Sequence, residues 1–447
     1  MTLKLSRYNL EMPDGNGMHF FNTYSGASVF IATETFQLIK DLVSQPGDGA
    51  EEWSAVADFM LEHGFLVPAD TDELDLALVK YDKTITDDSS LSLVIAPSLD
   101  CNMNCYYCYE GKRSDAALAT PDIGALLSFV SSRLTPHGTL GVTWFGGEPL
   151  LSKAFIIEAA RRLGDLCRTM SVNYTFRMVS NGHLLDEHTA RTLSACGIES
   201  VQVTFDGCRD DHDRVRRSSL DGRARQGSFD RIIANIASAA RHLRILARVN
   251  VSQRNIDRID RLLQQLDEAG LQDQISSIYF YPVFSYKATD PSSDYMPRNG
   301  LHFSMEEFAR IEPRLIDLAR GHGFKIFTPV VFESGYLGCY ASIANGFVID
   351  PRGAILKCDH ELGADSPVTS SIHDFTRLQN DEALQKWARI RPESYPSCRA
   401  CDLLPLCFSH CPHSNYVLPD REPRCPTYKY NWRDVFPVYL NQRIARA

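Results

Sequence analysis

Residues 91–108 read Leu91-Ser-Leu-Val-Ile-Ala-Pro-Ser-Leu-Asp-Cys101-Asn-Met-Asn-Cys105-Tyr-Tyr-Cys108. The run Leu91–Ala96 is apolar and suits a buried strand. Three cysteines follow it, so three thiols project from one loop at the strand's C-terminal end. Downstream, strand-like runs recur at Thr139–Phe145, Tyr174–Val179, Ser200–Phe205, Ile245–Val251 and Ile275–Pro282. Amphipathic helical spacing fills the gaps at Pro121–Arg133, Lys153–Thr169, Asp186–Ala195, Ser228–His242 and Ile256–Glu268. Six strand–helix units in series predict an α/β fold with a parallel sheet and right-handed crossovers, either a partial (β/α)6 TIM-like barrel or a doubly wound sheet. In both, loops after the strands gather at one end, where such folds place their sites.

Upstream, residues 1–80 read as a small α+β module. His19–Phe30 is β-rich and broken by Ser25-Gly26, which predicts a hairpin; Thr33–Val43 and Glu51–His63 have helical spacing, and Phe65-Leu66-Val67 forms a closing strand. This order suggests a winged-helix-like module. The acidic stretch Asp70–Ser90 reads as a linker, which sets the core at 91–320 and a cysteine-rich region at 335–447.

Composition narrows the function. Forty-six Lys and Arg stand against 56 Asp and Glu, a net charge of -10, with no basic run dense enough to follow a phosphate backbone. Nucleic acid is not an expected partner. No stretch reaches membrane-spanning length and the N-terminus lacks the apolar core of a signal peptide, so a cytoplasmic protein without membrane contact is expected.

There are 13 cysteines, none in the first 100 residues. Cys101, Cys105 and Cys108 form one set, and seven more crowd into 339–425. Such crowding in a reducing compartment points to metal or redox chemistry rather than disulfides. Cys167, Cys196 and Cys208 are scattered and read as buried apolar side chains. A cubane of four irons held by three thiolates keeps one iron without a protein ligand. That iron is open to the amino and carboxylate groups of S-adenosylmethionine (SAM). A zinc site in the same loop would want a fourth Cys or His.

The spacing C-x3-C-x2-C, with Tyr107 before the last cysteine, resembles the signature of the radical SAM superfamily. That resemblance implies reductive cleavage of SAM to a 5'-deoxyadenosyl radical. Three further features lie where the family keeps its SAM contacts. Gly146-Gly147-Glu148-Pro149 is similar to the GGEP motif, whose backbone and glutamate receive the methionine amino group. Ser180-Asn181-Gly182 resembles the turn at the ribose and carboxylate. Thr204-Phe205-Asp206-Gly207, followed by His212-Asp213 and Arg216, resembles the SxDG…HDxxR stretch, with Thr in place of Ser. For Asp206 and His212 a capped turn at a strand end is the alternative.

At the C-terminal side, Cys339 is followed after thirteen residues by Gly353 and after four more by Cys358; then comes Cys398-x2-Cys401-x5-Cys407-x3-Cys411, thirteen residues and Cys425. Four such cysteines also suit one zinc ion. The whole pattern resembles the SPASM domain, which binds auxiliary iron–sulfur clusters. The resemblance implies that Cys398, Cys401, Cys407 and Cys425 hold the distal cluster, and Cys339, Cys358 and Cys411 the nearer one. Sulfatase-maturating members have an eighth cysteine just before the first, whereas Thr328–Gly338 contains none, which implies an open iron or a non-cysteine ligand. Asp359 stands where those members have a catalytic carboxylate and is the candidate base. His360 and Glu361 are weaker candidates, and a turn cap is the alternative for Asp359.

The expected function is therefore a radical SAM peptide maturase. It would abstract hydrogen from a residue of a ribosomally made peptide and close a C–C, thioether or C–O cross-link. The resemblance also implies 4Fe–4S clusters, one radical SAM and two auxiliary, and an electron donor such as flavodoxin or ferredoxin. A precursor peptide bound by the N-terminal module through strand addition completes the expected partners. The alternatives are an anaerobic sulfatase maturase making formylglycine, a small-molecule radical SAM enzyme, and a non-enzymatic iron–sulfur or zinc sensor or scaffold.

Overall fold

The structure, a computed structural model, describes residues 2–44, 52–108, 110, 116–218, 226–283, 302–329, 339–363, 369–408, 411–413 and 423–444. Glu51 and residues 330–338, which entered the readings above, lie outside the described residues.

The chain opens with two strands absent from the sequence expectation, β1 (Leu3–Leu5) and β2 (Asn9–Asp14). The expected hairpin follows as β3 (Gly17–Asn22) and β4 (Ser28–Ala32), and β2-β3-β4 form an antiparallel sheet with β4 at an edge. Helices α1 (Thr33–Ser44) and α2 (Glu52–Glu62) and strand β5 (Leu66–Pro68) come next, with β5 paired to β1. Phe20, Ile31, Phe36, Ile39, Met60, Phe65 and Leu66 make a small core of their own. The opposite sheet face works differently, since Leu10, Met12 and Phe21 join the main core of the molecule.

The stretch read as a linker is a helix, α3 (Glu73–Thr86). Asp72 caps it by accepting from the Leu74 and Asp75 amides, and Ala77, Tyr81 and Ile85 are buried at four-residue spacing. A polar surface concealed this apolar stripe.

Six parallel strands then pair in sequence order: β6 (Ser90–Ile95), β7 (Thr139–Trp144), β8 (Asn173–Ser180), β9 (Ile198–Phe205), β10 (Arg244–Val251) and β11 (Ile275–Pro282). A doubly wound sheet requires the strand order to reverse at a switch point. No reversal occurs here, so the partial barrel is the correct alternative. Helices α4 (Asp122–Arg133), α5 (Lys153–Met170), α6 (Glu187–Ala195), α7 (Arg209–Val215), α8 (Phe229–Ala239) and α9 (Ile259–Glu268) lie in the crossovers. In α5, Phe155, Ile156, Ala159, Ala160, Leu163 and Cys167 form one buried face.

Two short strands enlarge the sheet to eight: β12 (Gly346–Ile349) lies parallel to β6, and β13 (Ile355–Leu356) returns antiparallel. They carry the cysteine-rich region onto the barrel edge. Past β11 come α10 (Met305–Ala309) and α11 (Glu312–Gly321), which pack against a C-terminal helix, Tyr428–Ile444. That helix buries Trp432, Val435, Phe436, Tyr439 and Leu440, and Asn431 Nδ2 donates to Ala309 O at 3.0 Å and to Glu312 at 2.9 Å. Among the described residues no helix is long and apolar enough to cross a membrane.

Tyr81 ties α3 to the cysteine-rich region, with its ring 4.9 Å from that of Phe408 and the Arg391 guanidinium above it. Tyr81→Ala removes a buried ring from this junction. It should lower unfolding free energy by about 3–5 kcal/mol in denaturant titration.

Candidate active site

The three-thiol loop is clamped to the turn after β7. The Gly147 amide donates to Ser98 O at 3.2 Å and the Glu148 amide to Asp100 O at 2.8 Å. Gly146 has a φ of +107°, and a Cβ there would sit 2.4 Å from Ser98 O; at Gly147 it would sit 2.2 Å from Asp100 O. Neither position tolerates a side chain. The Gly-Gly pair is thus what lets the two loops lie backbone to backbone.

Asn181, in the turn after β8, reaches the same loop, with Nδ2 2.7 Å from Asn102 Oδ1 and 3.9 Å from Cys101 Sγ. The Met103 amide donates to Cys101 Sγ at 3.4 Å. Burial, helped by Glu148 and Cys105, pushes the Cys101 thiol up to about 12; burial and Glu110 push Cys108 up to about 11. Without a cation, these crowded thiols resist ionising. A cationic cluster would hold them as thiolates, and this donor set fits it.

Glu148 is fully buried. Its Oε1 accepts from Leu150 N at 3.0 Å and Ser180 Oγ at 2.9 Å, and its Oε2 from Asn181 N at 2.8 Å. The carboxylate braces the β7 turn against the β8 turn with both oxygens occupied. Pro149 begins the short 3-10 turn that Glu148 caps.

A second network locks the loop from the β9 side. Tyr107 OH bonds both Asp206 oxygens, at 2.7 and 2.6 Å, and Arg216 reaches the same pair, through Nε to Asp206 Oδ2 and through Nη2 to Tyr107 OH at 2.8 Å. Ser228 Oγ donates to Arg216 O at 2.5 Å and lies 3.1 Å from His212 Nε2. Burial, then Arg216, pushes His212 down to about 3, so this imidazole is neutral and structural. Thr204 is buried near the end of β9. Asn250, Asn255, Asn102 and Ser228 escaped the sequence reading. Asn250 Nδ2 donates to Tyr107 OH at 3.1 Å, and Asn255 Nδ2 to Asp206 O and Asn250 O, both at 2.9 Å. Asn250 lies near the end of β10, whereas Ser228 and Asn255 precede helical turns and Asn102 sits in the thiol loop, so no shared pattern marked them.

The C-terminal thiols fall into two neighbourhoods. Cys398, Cys401, Cys407 and Cys425 line one cavity with Tyr428 and Lys429, and Lys429 Nζ lies 3.0 Å from Cys401 Sγ. Burial and the other three thiols raise the pKa of Cys407. In the other group, burial and the neighbouring Cys411 and Asp359 push Cys339 up to about 12, and burial, Asp359, Cys339 and Cys411 raise Cys358. Asp359 opens a short 3-10 turn, receives Tyr340 OH at 2.5 Å and lies 3.7 Å from Cys358 Sγ. His360 faces His413 with ring centres 4.8 Å apart. The donors suit soft metal clusters.

No disulfide joins any of the thirteen cysteines. Cys167 is buried in α5, Cys196 donates to Leu193 O at 3.1 Å and Cys208 to Asp211 at 3.3 Å. Among the described residues no three His, Cys, Asp or Glu side chains are drawn together as an ion site.

Residues 95–266 match the Radical SAM superfamily. Those residues form a radical SAM domain, of a family that uses SAM and 4Fe–4S clusters, and the cysteine-rich C-terminal region fits auxiliary clusters. The chain is 26% identical over 353 residues to a cysteine-type anaerobic sulfatase-maturating enzyme of Clostridium novyi (strain NT), covering 72% of this chain and 88% of the relative. The native anSMEcpe structure with bound AdoMet shares the fold with a TM-score of 0.62 at 18% identity, over 80% of this chain and all of that one. Streptococcus suis SuiB bound to precursor peptide SuiA shares it with a TM-score of 0.53 at 15% identity, over 95% and 98% of the two chains.

Gly147→Ala should break the clamp. The first loop should lose its iron, and SAM cleavage with it, while the C-terminal thiols keep theirs, as read by iron content and visible spectra.

Proposed function

We propose that this enzyme is a peptide maturase that cross-links a ribosomally made precursor. The observation that carries the reading is the position of Asp359. It touches Cys358 of the nearer auxiliary group and electrostatically faces Glu110, two residues beyond the first thiol loop. When bound, SAM with its cluster supplies a 5'-deoxyadenosyl radical, and the auxiliary clusters supply an electron path.

The chain's own groups do the rest. Cys101, Cys105 and Cys108 would hold the first cluster. The Gly146–Pro149 turn, Ser180, Asn181 and Thr204 would shape the SAM site, and Tyr107, Asp206 and Arg216 would fix its floor. Asp359, aimed by Tyr340, accepts the proton that leaves the substrate as the new bond closes. Cys398, Cys401, Cys407 and Cys425 would hold the distal cluster, and Cys339, Cys358 and Cys411 the nearer one, with one position open to a substrate or a non-cysteine ligand.

The residue 1–80 module supports a peptide substrate. Strand β4 lies at the sheet edge with Phe30 half exposed, and Leu38 of α1 is similarly exposed. An edge of this kind is a template for an added strand. We assign it the leader part of the precursor, which the solved complex of SuiB with its precursor peptide makes chemically reasonable. Flavodoxin or ferredoxin would supply the electron.

A second reading, a sulfatase maturase that makes formylglycine, is favoured by the 88% coverage of the Clostridium novyi enzyme. The absence of cysteine from Thr328–Gly338 argues against it.

Two measurements test the proposal. Asp359→Asn keeps the shape and removes the base, so cluster content and SAM cleavage should persist while product falls by ~10²–10⁴. Unchanged product would reduce Asp359 to a turn cap. Separately, Phe30→Glu on β4 should raise the apparent KM for a precursor encoded in an adjacent reading frame and leave peptide-independent SAM cleavage unchanged. An unchanged KM would make the module purely structural.

A further inference from the structure

Lys429 has no place in the cysteine motifs, yet it faces their distal set. Its Nζ lies 3.0 Å from Cys401 Sγ, and both residues line the cavity shared by Cys398, Cys407 and Cys425. The side chain is half-buried, and among the described residues no carboxylate forms an ion pair with it. A surface lysine ordinarily leaves its ammonium in water. This one turns its charge onto a sulfur.

The local backbone explains the aim. The Lys429 amide donates to Pro426 O at 3.0 Å and the Tyr430 amide to Thr427 O at 2.9 Å, which turns the chain after Cys425 into the C-terminal helix. Three consecutive side chains then serve three thiols. The Tyr428 hydroxyl is within hydrogen-bonding reach of Cys407, Lys429 of Cys401 and the Tyr430 hydroxyl of Cys425. Of these donors only Lys429 carries a charge. One opposing group is close, Asp402, whose Oδ1 lies 3.9 Å from Cys401 Sγ. It is farther away than the ammonium, and an ionised carboxylate accepts hydrogen bonds rather than donating them. Arg424, also on the cavity wall, adds to the positive side.

A cluster held by four thiolates gains a negative charge on reduction, and its net charge and the hydrogen bonds to its sulfurs set its potential. A positively charged N–H donor therefore favours the reduced form over the oxidised one. We propose that Lys429 is a potential-setting residue of the distal group, its ammonium donating to Cys401 and making a cluster held there easier to reduce. The inference rests on reading Cys398, Cys401, Cys407 and Cys425 as a cluster site. It adds a residue that the seven-cysteine pattern does not contain.

The test is a potentiometric titration, followed by electron paramagnetic resonance, of the anaerobically reconstituted full chain as wild type, Lys429→Met and Lys429→Arg, with iron counted in each. Lys429→Met keeps the apolar stem and removes the charge and the donors. One midpoint should move negative, by the ~59 mV that a tenfold less favourable one-electron reduction requires, while the other midpoints and the iron content stay at wild-type values. The midpoint that moves should be the one altered in Cys401→Ala. Lys429→Arg restores charge and donors and should titrate like the wild type. Unmoved midpoints in Lys429→Met would overturn the assignment, as would an equal shift of every cluster or an Arg variant that shifts as far as the Met variant. Loss of iron from Lys429→Met would overturn it too, marking Lys429 as a brace of the thiol cavity. A wild type whose C-terminal thiols take up no iron would instead refute the cluster reading itself, and the iron count separates that failure from the others.

Discussion

The site depends on one close approach, the backbone of Gly146-Gly147 lying against the carbonyls of Ser98 and Asp100. A single methyl group would separate the two loops. Because they touch, the thiol loop after β6 is registered on the turn after β7, and Glu148 passes that register to the turn after β8. Asn181 then returns to Asn102 and Cys101. The ring of contacts closes around the place where Cys101, Cys105 and Cys108 would hold a cluster. On the β9 side, Tyr107, Asp206 and Arg216 form a buried ion pair with a phenol bridging it, an arrangement that favours a fixed geometry over net stability.

The cysteine-rich region is fastened to this site rather than tethered beside it. Strand β12 continues the barrel sheet next to β6, and Gly363 packs on Glu110. The base candidate Asp359 is therefore positioned by the same β6 edge that carries the first thiol loop. Two thiol groups with a carboxylate between them suit a reaction in which a hydrogen atom leaves a substrate carbon while a proton and an electron leave the substrate by other routes.

Much of this was legible in the sequence. Each of the six barrel strands was predicted within two residues at either end, because short β-rich apolar runs between amphipathic helices have few other solutions. The glycine and cysteine motifs were legible because their chemistry tolerates few residue types. Helix α3 was not, since its stripe of Ala77, Tyr81 and Ile85 is hidden among charged neighbours. Strands β12 and β13 are too short to show a period, and β2 contains Pro13, which argues against a strand except at an edge. Asn250, Ser228, Tyr340 and Glu110 act singly, and nothing local distinguishes a single polar residue in a loop or at an element's end from a solvated one.

The central claim is that the two cysteine sets hold separate clusters and that only the first serves SAM. Iron and sulfide content with Mössbauer spectra, measured on the anaerobically reconstituted full chain and on the Cys101, Cys105 and Cys108→Ala variant, tests it most directly. The account predicts about twelve irons in 4Fe–4S form for the wild type, and about eight for the variant with 5'-deoxyadenosine formation abolished. Equal iron in the two proteins, zinc in place of iron, or SAM cleavage that survives in the variant would contradict it.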